Sequence, residues 1–188
     1  SASVARGVNL VLGLGTSVLL ARELGPEGRG ELAVVLSLAT VGVQLCNFGF
    51  AASQPYFIAR TPAKAGALLR RGLRITSVLC VLWTIGLALY FVIAKPDWGI
   101  GFGWLLLILS TLLVPASVLF LLGQNANLGI GAISVFAWSD AVVKIFTLIA
   151  FVVTAATIGL SIFYVCTITI CVLVVIGIVI MRRVKDQH

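Results

Sequence analysis

The chain is short of what polar chemistry in water requires. It has one histidine, His188, its last residue, and six acidic residues in 188. A single terminal imidazole cannot build a histidine-based acid–base pair or a metal cage. Gly-x-Ser-x-Gly is missing, so no acyl-transfer elbow exists, and the chain does not read as an enzyme. Asn-x-Ser/Thr does not occur, so nothing marks a glycosylated surface. Gly13-Leu14-Gly15 lacks the third glycine of a dinucleotide fingerprint. Period-two alternation of apolar and polar residues is absent as well, which argues against a membrane barrel. No cofactor and no metal are implied.

What the chain has in quantity is apolar surface. Hydrophobic residues make up 61%, charged residues 10%, and the mean hydropathy is +1.18. Such a composition excludes an ordinary soluble domain. Apolar runs of about 20 residues recur, the length that crosses hydrocarbon as a helix. Six spans are expected, at 4–21, 32–54, 75–94, 101–122, 134–156 and 159–181. The fold class is therefore all-α, a polytopic membrane bundle of six transmembrane helices over residues 1–188. Cys46, Cys80, Cys166 and Cys171 all fall inside apolar runs and read as small hydrophobes, not as a disulfide or zinc framework. The start, Ser-Ala-Ser, lacks both Met and a cleavable-leader pattern, and the expectation is that the natural start is missing.

The net charge of +7 sits between the spans and does not point to nucleic acid. Arg60–Arg74 carries five Lys/Arg and no acid, and Met181–His188 carries three with one acid. Arg22–Glu31 has two basic and three acidic residues, and the Lys95–Asp97 loop is neutral. Positive loops stay cytoplasmic, which predicts a multi-pass inner-membrane protein with both termini inside. Tyr90, Trp98 and Trp104 suit the outer interface and Tyr56 the inner one. Residues 61–74, opening at Pro62 and Lys64, read either as an amphipathic helix on the membrane surface or as an extension of the third span. Pro115 should kink the fourth span, and Gly99-Ile100-Gly101-Phe102-Gly103 opens it with a spacing that lets helices approach.

Polar residues inside the spans recur at steps of three and four, which keeps them on one helix face. The first span has Arg6, Asn9, Gly13 and Thr16; the second has Ser37, Thr40, Gln44, Asn47, Ala51 and Gln54. The fifth offers Asp140, Lys144, Thr147 and Thr154, and the fourth Ser110, Ser117 and Gln124. Amides and charges facing lipid are costly, so these faces should turn to other helices or to water. They either close around a hydrated cleft or hydrogen-bond between packed helices. Asp140 and Lys144 stand at i, i+4 with the acid first, either inside the membrane or, if Trp138 marks the interface, with Lys144 reaching back to the surface. Arg6 is likewise either a cavity cation or part of the cytoplasmic positive signal.

A polar turn joins the first two spans, with the sequence Ala21-Arg22-Glu23-Leu24-Gly25-Pro26-Glu27-Gly28-Arg29-Gly30-Glu31-Leu32. Pro26 fixes φ there, and Gly25 and Gly28 supply backbone freedom. This wording resembles the first loop of polysaccharide exporters, the O-antigen and teichoic-acid flippase-like branch of a superfamily that also holds multidrug antiporters and lipid II flippases. The likeness continues through Leu36-Ser37-Leu38-Ala39 and Phe48-Gly49-Phe50 to Ile58-Ala59-Arg60. It then fades to the helix rhythm and Gly123-Gln124-Asn125. The resemblance implies the amino-terminal lobe of a two-lobe transporter that moves lipid-linked oligosaccharide by alternating access. A missing carboxy-terminal lobe or a second copy would complete it. The polar faces make Arg6, Asn9, Gln44, Asn47 and Lys144 suited to lining such a substrate cavity, with the cations screening phosphate, and Asp140 is the acidic residue placed to couple to the ion gradient that the resemblance implies. A multidrug-antiporter lobe and a non-transporting scaffold of envelope polysaccharide assembly are the alternatives.

Overall fold

Among the described residues the chain forms six helices and no strand. A computed structural model describes residues 2–61, 65–94, 103–157 and 159–186. Pro62, Lys64, the Lys95–Asp97 loop, Trp98, Gly99-Ile100-Gly101-Phe102 and His188 lie outside them, as does the side chain of Trp104. The helices are α1 (Ala2–Asn47), α2 (Phe50–Arg60), α3 (Ala65–Ala94), α4 (Gly103–Gly129), α5 (Ile133–Thr157) and α6 (Ile162–Asp186). Five of them are long and apolar enough to cross a membrane, and α2, at 11 residues, is not.

The first helix departs most from the expected spans. Its helical hydrogen bonding continues over 46 residues, interrupted only where Gly25 takes φ 68 and ψ −176. A residue with a Cβ rarely adopts that conformation, so glycine is what permits the bend. Pro26 then opens the next stretch at the position where its missing N–H costs nothing. The expected polar turn over 21–32 thus contracts to one residue, and Arg22, Glu23, Glu27 and Arg29 belong to helix ends. Gly28 is helical rather than a turn residue, and a Cβ on it would lie 3.1 Å from the Cβ of Leu24. The two arms of α1, residues 2–24 and 26–47, turn back on each other: Leu19, Leu20 and Leu24 pack with Leu32 and Val35.

The second expected span, 32–54, is also cut. Phe48 (φ 43) and Gly49 (φ 75) are both left-handed, and α2 starts afresh at Phe50. By contrast, α3 is continuous from Ala65, so the basic segment ahead of residue 75 is an extension of the third span and not a separate surface helix. The fourth helix runs through Pro115 with helical backbone and reaches Gly129, seven residues past the expected end at 122.

At the centre stands α4, apolar nearly all round, with 67% of its span buried against 22% for α3, α5 and α6. It crosses α6 where a Cβ on Gly177 would come within 3.3 Å of the Phe120 Cα. Between helices in lipid the hydrophobic effect supplies no drive, so such backbone approach and its dispersion contacts hold the bundle. Gly129 similarly lets the end of α4 sit against Ile58 and Pro55 of α2, and Gly72 of α3 meets Phe50. The end of α4, the end of α6, α2 and the start of α3 therefore gather at one end of the bundle. Arg60, Arg70, Arg71, Arg74, Arg182 and Arg183 belong to that end. At the other end the α1 bend, with its Glu23 and Glu31, meets Leu105 and residues 160–163.

Candidate functional site

A groove of about 450 Å³ lies between the two arms of α1 and the helices α5 and α6. Gly13, Thr16, Ser17 and Leu20 come from the first arm, and Arg29, Leu32, Ala33 and Leu36 from the second. Within each arm these positions are three or four apart, so one helical face lines the groove. The opposite face of the second arm is held by Gly42, whose missing side chain admits Trp83 of α3 and Val114 of α4. Seating one face on α3 and α4 directs the other into the groove. From α5 come Val143, Lys144 and Thr147, and from α6 Thr169.

Two cations and four hydroxyls thus share a largely aliphatic wall. The Lys144 ammonium donates to the backbone carbonyl of Asn9 at 3.2 Å, reaching across to the first arm. The ammonium passes beside Gly13, where a Cβ would make an ordinary contact of 3.9 Å with the Lys144 Nζ. The Arg29 guanidinium donates to the Ser17 hydroxyl at 3.4 Å, a long bond that leaves most of its donors unused. Thr16 and Thr169 donate to carbonyls of their own helices, at 2.8 and 2.7 Å, which keeps their oxygens free to accept. The Thr147 hydroxyl is buried without a partner, and so is the amide oxygen of Asn9. Each buried unpaired polar group costs roughly 1–3 kcal/mol, a cost that a water or ligand group relieves only by reaching the buried atom.

Of the six residues named as cavity candidates only Lys144 forms part of this wall, joined by Gly13, Thr16 and Thr147 from the same polar faces. Arg6 is exposed on the first arm, and Asn9 is half-buried beside the Lys144 ammonium. Gln44 is exposed on the second arm, beyond Thr40. Asn47 does local work: its side-chain oxygen accepts from the Ala51 N–H at 2.8 Å, bridging the break and tying down the first turn of α2. Asp140 and Lys144 reach different partners, despite their spacing. The Asp140 carboxylate accepts from the Gln124 amide at 3.2 Å, and that same nitrogen lies 3.0 Å from the Ser139 hydroxyl and 3.2 Å from the Phe136 carbonyl. An amide nitrogen has two hydrogens, so the three acceptors share them, and the cluster knits α4 to α5. Ser110 and Ser117, on the same face of α4 as Gln124, donate to carbonyls within their own helix.

Sequence reasoning passed over Arg29, Ser17 and Thr169. Arg29 was readable: once Pro26 is taken as the first residue of a helix, Arg29, Ala33, Leu36 and Thr40 follow steps of four, three and four. Thr169 carried no such signal, because α6 offers no polar face to set its direction. Among the described residues no group of three His, Cys, Asp or Glu stands ready to hold a metal ion. Compared with family models, curated proteins and solved structures, the chain matches none.

Proposed function

We propose that the chain is a six-crossing membrane lobe that exports lipid-linked oligosaccharide or polysaccharide precursors by alternating access, together with a second lobe or a second copy. The observation that carries the reading is the groove itself. Lys144 and Arg29 line a cavity walled by apolar helices, and the unpaired Thr147 hydroxyl is buried in that wall. Lys144, midway along α5, is an ionisable group at membrane depth, which is expensive and marks a pathway for polar cargo. A cargo with phosphate, sugars and a lipid tail matches cations, hydroxyls and an aliphatic wall in one place.

Six crossings follow from reading α1 as two. Its apolar stretch, Arg6–Asn47, has 42 residues. At 1.5 Å per residue that is about 63 Å, twice the roughly 30 Å of hydrocarbon. A bend at Gly25 with the arms face to face divides it into two spans of ordinary length. Six arginines gathered at the far end of the bundle then favour that end as cytoplasmic, with both termini there.

One observation favours the scaffold reading. Asn47 and the Gln124–Ser139–Asp140 cluster spend their polar atoms on the protein's own backbone and on each other. Accessibility separates the two. With the four native cysteines replaced, cysteines introduced at Leu36, Thr147, Asn9, Gln44 and Asn47 are labelled from water. The exporter reading expects Leu36, exposed in the groove, to react with a membrane-impermeant maleimide. It also expects Lys144→Met to lower export at least ~10-fold with insertion unchanged, the loss of one charge-assisted contact. Protection of all five positions would remove the exporter reading and leave the scaffold.

A further inference from the structure

A second cleft, of about 240 Å³, lies at the arginine-rich end of the bundle between the start of α3 and the end of α6. Its floor is aliphatic, from Leu69 and Leu73 on one helix and Ile178 and Met181 on the other. Arg70 and Arg182, both exposed, line it from opposite helices. No acidic side chain belongs to it among the described residues, and neither arginine makes an ion pair there. Two guanidinium groups facing one trough repel each other, and a shared anion relieves that repulsion. Guanidinium matches phosphate through paired N–H donors, and the floor between them takes a hydrocarbon chain but offers a soluble phosphate nothing.

We infer that this cleft holds one anionic phospholipid of the surrounding bilayer, its phosphate between Arg70 and Arg182 and an acyl chain along the floor. Basic clefts between helices at a membrane surface recognise lipid headgroups by this combination. The site is separate from the groove at Lys144, and its occupancy requires membrane insertion, not transport.

The test is native mass spectrometry of the purified chain mixed with phosphatidylglycerol or phosphatidylcholine of identical acyl chains. Each cation near the headgroup is worth about a five-fold factor, so phosphatidylglycerol is expected to be preferred about 30-fold. Arg70→Gln with Arg182→Gln should abolish that preference. Arg71→Gln with Arg183→Gln removes the same charge from residues that do not line the cleft, and should leave most of it. Gly66 also lines the cleft, and a Cβ on it meets nothing within 4 Å. Gly66→Phe therefore fills the space without disturbing the helix, and should lower retention of both lipids. Equal retention of the two lipids by the unaltered chain would overturn the inference. So would an equal loss in the Arg71/Arg183 variant, or unchanged retention in Gly66→Phe, since either leaves only a diffuse surface charge.

Discussion

Replacing Gly42 with alanine tests how the second arm of α1 is seated. The added Cβ would stand 2.6 Å from the Val114 Cγ2, 2.7 Å from the Trp83 Nε1 and 2.8 Å from its Cε2. Ordinary carbon contacts are near 3.5–4.0 Å, so the arm must back away by about an ångström or Trp83 must turn. Neither is easy, because Val114 is fully buried and Trp83 packs against the clusters that join α1, α3 and α4. Overpacking of this kind costs about 1–3 kcal/mol, and the better helix propensity of alanine returns up to about 1. At mid-range the net loss is about 1 kcal/mol, or roughly 2–4 °C in melting temperature for a chain of this size. The control is Gly86→Ala on α3, where a Cβ meets nothing within 4 Å and stability should hold or rise. Pairing Gly42→Ala with Val114→Ala should recover part of the loss, because the two changes act on one contact. Thermal unfolding in detergent reads all four proteins. If Gly42→Ala melts with Gly86→Ala, the second arm is not held by this contact, and the argument for which face meets the groove fails.

Two further outcomes concern the joints between helices. Gln124→Leu removes the donor shared by Phe136, Ser139 and Asp140, and should cost about 2 kcal/mol of stability in the same assay; an unchanged melting curve would mean that α4 and α5 do not depend on it. Phe48 holds φ 43 while 84% exposed, so it bears backbone strain with little packing in return. Phe48→Gly should therefore gain up to about 1 kcal/mol, and a lower melting temperature would show that the ring is held by contacts outside this chain.

Composition and period alone determined the fold class, since runs of this length and hydropathy in lipid must satisfy their backbone internally as helices. The end of the first helix near Gly25-Pro26 was equally plain, because glycine and proline act through local φ and need no neighbours. The break at Phe48–Gly49 was not: a phenylalanine gives no warning of a left-handed backbone, and the polar steps through Gln44, Asn47 and Ala51 run on as if the helix did. Nor could spacing alone tell Asn47 as a local tie for α2 from Asn47 as a cavity wall, or send Asp140 to Gln124 and Lys144 to Asn9. Those choices depend on which face of each rod meets which neighbour. Close contact at Gly42, Gly129 and Gly177 sets that, and such contact between residues far apart in the chain exists only once the helices are assembled.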